Sequence, residues 1–197
     1  AFGVRRGIEA AVEARLGSRN LKGIHVALQG VGHVGYHLAR ELHEAGARLT
    51  VADVNTAGVE RAAREFGATV VAPADVHAVE CDVFAPCALG AVINDTTVPQ
   101  LRCAIVAGAA NNVLAEPRHG GALRARNILY APDYAINAGG LINVAIEYSP
   151  EGYNADVSRQ RVNRIHETMA TIFARAAAEG RPTHDVADKI AEERIYG

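Results

Sequence analysis

Lysine is almost missing from this chain: of its 20 basic residues only Lys22 and Lys189 are lysines, and the rest are arginines. Enzymes that move protons near neutral pH commonly recruit a lysine or a histidine, so this scarcity narrows where such a group can sit. Cysteine is scarce too. Cys81, Cys87 and Cys103 make an odd number with no C-x-x-C pair, which excludes a disulfide framework and reads as reduced thiols packed as small apolar residues in an intracellular, cytoplasmic protein. Charge of one sign is missing: a net charge of −2 gives no electrostatic footprint for nucleic acid or an anionic membrane. No apolar run approaches the roughly 20 residues that span a bilayer, and the start carries no signal-peptide pattern. There is no G-x-x-x-x-G-K-[ST] loop, no H-E-x-x-H helix and no G-x-S-x-G elbow, so ATP hydrolysis and serine-hydrolase chemistry have no support.

What is there describes a globular α/β chain. With 197 residues, 49% of them hydrophobic and 21% charged, the sequence suits one domain with a sizeable core and a helical appendage. Val4, Ile8, Ala11, Val12 and Leu16 recur at helical spacing, which predicts a leading helix over 2–16 closed by Gly17. Short apolar runs at 24–28, 48–52, 69–71, 82–85, 105–107 and 128–130 read as strands. Helices are expected over 36–45, 55–66 and 95–101. Strand and helix in alternation imply a Rossmann-type, doubly wound and mostly parallel sheet with helices on both faces. This dinucleotide-binding core is expected to run over 22–150. The segment 151–197 changes character: Val162, Ile165, Met169, Ile172, Phe173 and Ala176 predict one long helix over 155–179, and Pro182-Thr183 opens another to about 194.

The most informative motif is Gly30-Val31-Gly32-His33-Val34-Gly35, with Asp53 following 18 residues after Gly35. It lies between an expected strand and helix, and Asp53 ends the next strand. In such a unit Gly30 makes a tight turn, Gly32 lets backbone approach a pyrophosphate, and Gly35 allows helix and strand to pack closely. The free N–H groups of the helix start would take the phosphates. Asp53 would accept hydrogen bonds from an adenosine ribose diol and repel a 2′-phosphate, so the expected cofactor is NAD rather than NADP.

In an open α/β sheet, ligands bind beyond the carboxyl ends of the strands. Three segments leave expected strand ends with small or amide residues: Pro86 to Gly90, Gly108 to Asn112 and Asn137 to Gly140. Small residues let a planar ring approach the backbone, and Asn111 and Asn137 offer amides to a nicotinamide or a substrate carboxylate. His33 and His37 have a spacing that can hold zinc, but no third ligand accompanies them, and no metal is expected.

The stretches GVGHVGYHLARELHEAGARL, VECDVFAPCALGAVIND, VAGAANN, EPRHG and LYAPDYAINAGGLINVA resemble the coenzyme domain of the glutamate/leucine/phenylalanine/valine dehydrogenase family, the leucine branch above all. The resemblance covers essentially the whole chain. It implies oxidative deamination of an L-amino acid to a 2-oxo acid and ammonia, with hydride passing to NAD. It implies that Cys87, Ala88, Ala107, Gly108 and Ala109 line the coenzyme, with Asn111 and Asn137 near the nicotinamide. Leu141 and Val144, after the paired glycines, would shape the substrate pocket. Both are apolar, which favours a branched aliphatic substrate over glutamate, because a buried carboxylate without a partner costs several kcal/mol. Phenylalanine is the alternative substrate. His33 replaces an asparagine common in the family and is expected to point away from the phosphates. The family's two catalytic lysines and its proton-shuttling aspartate belong to an N-terminal substrate domain, and neither Lys22 nor Lys189 has their setting. The chain therefore reads as one half of an enzyme that is homo-oligomeric at full length, binding NAD without turnover by itself. A non-catalytic NAD-sensing module and an S-adenosylmethionine-dependent methyltransferase are the other classes that such a glycine loop serves.

Overall fold

A computed structural model describes residues 1–150 and 152–197; Glu151, the first residue of the expected C-terminal segment, lies outside them. The chain opens with α1 (Phe2–Leu16), then β1 (His25–Gln29), α2 (His33–Glu44), β2 (Arg48–Ala52), α3 (Thr56–Phe66) and β3 (Thr69–Val70). It continues with β4 (Glu80–Pro86), β5 (Arg102–Val106), α4 (Arg118–Ala125) and β6 (Leu129–Tyr130). Five helices close it: α5 (Asp133–Ile136), α6 (Gly139–Glu147), α7 (Ala155–Asn163), α8 (Ile165–Glu179) and α9 (Thr183–Tyr196).

The six strands form one sheet in the order β3-β2-β1-β4-β5-β6, and every pairing is parallel. The expected doubly wound α/β fold is therefore present, and more uniformly parallel than the sequence required. Central strands buried on both faces need continuous apolar runs, which Val26-Ala27-Leu28 and Val83-Phe84-Ala85 supply. One core lies under α1, α2 and α8 and contains Ile8, Leu28, Leu38, Leu42 and Met169. The other, around Phe84, Ile93, Leu101 and Leu123, lies on the opposite face. Each such side chain, removed from water, contributes about 1.5–3 kcal/mol. Because the order reverses at β1, the chain leaves β1 and β4 in opposite directions, and a crevice opens between their carboxyl ends.

Three expectations about elements are corrected. The helix expected over 95–101 is a single 3-10 turn, Val98–Gln100. Asn94 Oδ1 accepts the N–H groups of Thr96 and Thr97 at 2.9 and 3.0 Å, a cap that closes one turn, and Leu101 is already extended (φ −56°, ψ 133°). Pro99 then lacks a donor of its own. The single helix expected over 155–179 is two, α7 and α8, divided at Arg164. Arg164 N–H bonds Arg161 O (3.1 Å), a tightened turn between Val162 and Ile165. Both face Gly3 of α1, where an added methyl would lie 2.7 Å from Ile165 Cδ1 and 3.2 Å from Val162 Cγ1. Finally, α2 begins at His33, not Tyr36. The helices α4, α5 and α6 were not expected. The first carries paired Gly120-Gly121, α5 has only four residues, and α6 opens on Gly139-Gly140, so the usual helix signals are absent.

Candidate functional site

The glycine motif occupies the carboxyl end of β1, where the topology opens the crevice. Gly30 has φ 99°, a left-handed conformation that favours glycine. A Cβ on Gly30 would lie 2.8 Å from Ala88 Cβ, and one on Gly35 would lie 2.1 Å from Gly30 O. The loop after β1, the start of α2 and the loop after β4 are thus packed backbone to backbone. Gly32 differs. It is exposed, caps α2 with no side-chain hydrogen bond, and a Cβ there would meet nothing within 4 Å. Val31 is buried, whereas His33 and Val34 are exposed. Among the described residues, no partner is found for the N–H groups of Gly32, His33, Val34 and Gly35; the first internal bond of the helix is Tyr36 N–H to Gly32 O (2.8 Å). Unsatisfied donors at an exposed helix start, with the positive end of the helix dipole, form an anion seat.

Asp53 stands beside this seat, half-buried at the end of β2. Its Oδ2 accepts the Val31 N–H at 2.7 Å and its Oδ1 accepts the Asn55 N–H at 2.9 Å. The carboxylate therefore also braces the glycine loop, a role the sequence did not suggest. Its remaining lone pairs stay available to a diol. His33 and His37 stack edge to face, ring centroids 5.1 Å apart.

On the far side of the crevice, Cys87 N–H extends the β1–β4 ladder by bonding Gln29 O (2.7 Å). Burial pushes the Cys87 thiol up to about 11, so it is a neutral packing group rather than a nucleophile. Ala107 and Gly108 are buried, and a Cβ on Gly108 would lie 2.1 Å from Pro86 O. That close approach brings the β4 and β5 loops into register. Next to it, Asn137 Nδ2 donates to Asn111 Oδ1 (2.5 Å) and reaches Ala109 O at 3.4 Å. Two amides 26 residues apart in sequence therefore share one point in space.

Val34, Ala109, Asn111, Asn137 and Leu141 all line a single open cleft of about 1110 Å³. Leu141 is 75% exposed; Val144, one turn further along α6 and 45% exposed, does not line it. The cleft is completed by residues that sequence reasoning missed: Phe2 of α1, Tyr134 of α5, Asn143 of α6 and Arg159 of α7. Arg159 stacks on Phe2, Cζ 4.7 Å from the ring centroid. Tyr134 Oη lies 2.5 Å from Asp188 Oδ1, and Ser158 Oγ donates to Asn143 Oδ1 (2.8 Å). No local pattern marks these residues, because they converge only through packing of the last helices on α1.

Neither lysine reaches this cleft. Lys22 packs beside Gly46 ahead of β1, and Lys189 Nζ sits 3.5 Å from Glu179 on α9. Elsewhere, Asp95, Glu116 and His119 bring potential ligand atoms within 4.8 Å of one another. These groups are already engaged. Arg118 grips Asp95 with two bonds of 2.7 and 2.6 Å, and His119 Nδ1 accepts the Glu116 N–H (3.0 Å) while Nε2 faces Asp95 (3.2 Å). The cluster is a clasp between loops.

A parallel sheet in this order, with a glycine loop and an acid at adjacent strand ends, defines a Rossmann-type α/β protein. The profile of the glutamate/leucine/phenylalanine/valine dehydrogenase family matches residues 51–192, and the chain belongs to that family. It is 52% identical over 195 residues to leucine dehydrogenase of Geobacillus stearothermophilus, covering 99% of this chain and 53% of that protein. To L-tryptophan dehydrogenase of Nostoc punctiforme it is 48% identical, over 98% of this chain and 55% of the other. The crystal structure of L-tryptophan dehydrogenase from Nostoc punctiforme matches with a TM-score of 0.95 and 47% identity, over 98% of this chain and 57% of that one. Hetero-hexameric glutamate dehydrogenase from Thermus thermophilus shares the fold, with a TM-score of 0.74 at 23% identity. The chain spans about half the length of the curated relatives it matches.

Proposed function

We propose that this chain is the coenzyme-binding half of an NAD-dependent dehydrogenase acting on an apolar L-amino acid, leucine or valine in type. The observation that carries the proposal is the uncapped start of α2 beside a glycine loop that Asp53 braces at 2.7 Å. The residues fit the coenzyme. Gly32 to Gly35 offer four backbone donors to a diphosphate, and Gly32 leaves the space a diphosphate needs. Asp53 would accept the ribose hydroxyls, and its charge disfavours NADP. Cys87, Ala88, Ala107, Gly108 and Ala109 would form the small-residue floor, with Asn111 and Asn137 orienting the carboxamide end. When bound, the nicotinamide of NAD supplies the acceptor for the hydride that leaves Cα of the amino acid.

Leu141 presents hydrocarbon and no charge to the cleft, and Val144, one turn on and outside it, would meet a substrate side chain only at the cleft's edge. A glutamate carboxylate would be desolvated there without a partner. Phenylalanine is the second reading; relatives that act on aromatic amino acids are L-tryptophan dehydrogenase, 48% identical, and phenylalanine dehydrogenase of Thermoactinomyces intermedius, 42% identical. No lysine stands in the cleft, so the group that activates water and the one that holds the substrate carboxylate would come from a substrate domain facing this wall. That domain, and further copies of the chain, are the proposed partners. Residues 1–197 then form one coenzyme unit: the leading helix over 2–16, the core over 22–150 and the closing helices over 151–197.

Titration of the 197-residue chain with NAD and NADP tests the reading: NAD must bind, and more tightly than NADP. Steady NADH production from leucine by this chain alone would remove the two-domain part of the proposal.

A further inference from the structure

Asp133 is a carboxylate 8% exposed at the first turn of α5, and it belongs to none of the groups discussed so far. Its Oδ2 accepts the Val113 N–H at 3.2 Å, and its Oδ1 accepts the Tyr130 hydroxyl at 3.1 Å. The Asp133 N–H returns to the Tyr130 oxygen at 3.3 Å, and Thr183 Oγ1 pins the Tyr130 carbonyl at 2.7 Å. Val113 lies two residues after Asn111, and α5 ends at Ile136, directly before Asn137. One buried side chain therefore ties the loop that carries one cleft amide to the short helix that delivers the other. The two amides meet at 2.5 Å. A four-residue helix has no rigidity of its own, and Asn112, between Asn111 and Val113, sits at φ 52°. Backbone bonds hold the Asn111 loop to the segment after β4, Ala110 N–H to Pro86 O (2.9 Å), Ala91 N–H to Asn112 O (2.7 Å) and Ile93 N–H to Val113 O (3.0 Å), whereas the Asp133–Val113 bond joins that loop to α5.

We infer that Asp133 is a positioning residue for the nicotinamide end of the coenzyme, setting the Asn111–Asn137 pair through its bond to Val113. This rests on the proposed coenzyme reading of the cleft. Alanine removes both acceptors and with them the bond to Val113, whereas asparagine could keep that bond through Oδ1 and donate its NH2 to the Tyr130 oxygen.

The test compares NADH with ADP-ribose, which keeps the diphosphate and ribose and lacks nicotinamide. In the 197-residue chain, D133A is expected to weaken NADH about tenfold or more while ADP-ribose stays within about twofold. Y130F removes one partner of the carboxylate and leaves Val113 bound. It is expected to lower the melting temperature with NADH affinity kept within about twofold. Equal losses for both ligands in D133A, no loss for either, or an NADH loss in Y130F matching that in D133A would overturn the inference. A wild type that binds NADH no better than ADP-ribose would overturn it and leave the coenzyme reading standing; a wild type that binds neither removes that reading as well. Should D133A fail to fold, amide exchange in the wild type decides. The Val113 N–H must gain protection with NADH and not with ADP-ribose, and unchanged exchange refutes the role.

Discussion

Asp53→Ala separates two roles that share one carboxylate. In the free protein, Asp53 accepts the Val31 N–H at 2.7 Å and the Asn55 N–H at 2.9 Å. Each such bond is worth about 1 kcal/mol net, at the low end for a charged acceptor because the site is half-exposed and water can replace it. The loss is then about 2 kcal/mol, which for a chain of this size lowers the melting temperature by about 4–8 °C. Coenzyme binding adds a second loss. Removing a charged acceptor from the ribose hydroxyls costs about 1.5–3 kcal/mol, or about tenfold to a hundredfold in NAD affinity. A slackened glycine loop weakens NAD and NADP alike, since both carry the diphosphate. Only the ribose term distinguishes them, because NADP meets a repulsive carboxylate in the wild type and none in the variant. The NAD-over-NADP ratio should therefore fall by about tenfold or more, beyond any common loss. Calorimetric titration with both coenzymes, alongside a thermal melt of the free protein, reads both effects. An unchanged ratio would take Asp53 out of the ribose site, and an unchanged melting temperature would refute its bracing of the loop.

Three further outcomes are expected. Gly108→Ala places a methyl 2.1 Å from Pro86 O, against backbone that cannot swing aside, and should destabilise by about 1–3 kcal/mol or more in urea unfolding. Gly32→Ala has open space for its methyl, so stability should hold while NAD affinity falls, because the methyl occupies the approach of the diphosphate; titration and a thermal melt of the same sample decide. Burial pushes Cys81 up to about 12 and Cys87 and Cys103 up to about 11, against about 8.5 in an unfolded chain. Stability from the neutral thiols is full below that unfolded value and is lost as pH climbs toward the folded values. Urea midpoints should fall between about pH 8 and pH 10 in the wild type and fall less when all three cysteines are serine or alanine.

Much of the fold could be read along the chain, because its signals are local. Apolar runs of strand length, Gly17, Gly67 and Gly180 as left-handed helix stops, and a glycine motif between strand and helix each depend on a few neighbouring residues. The candidate site segments were picked out on the same local basis, since a parallel sheet exposes the carboxyl ends of all its strands on one side. Reading failed where a neighbour distant in sequence sets the outcome. The long helix divides at Arg164, whose N–H bonds Arg161 O (3.1 Å), although the apolar spacing runs on without a break. The turn after Asn94 stops at Gln100 as Leu101 goes extended (φ −56°, ψ 133°) into β5, which pairs with β4. The helix α6 hides behind two glycines that propensity counts against it.

Sequence alone determined the strands, the leading helices, the doubly wound class and the residue types at the strand ends, since pattern and residue type act over a turn or a strand. Packing settled which of those groups meet. Asn111 touches Asn137, Asp53 braces Val31, and Arg159 covers Phe2. Each depends on side chains from separate elements being held within a few tenths of an ångström. Distances of that kind are fixed by close approaches such as Gly35 to Gly30 and by a buried carboxylate such as Asp133, and no stretch of neighbouring residues encodes them.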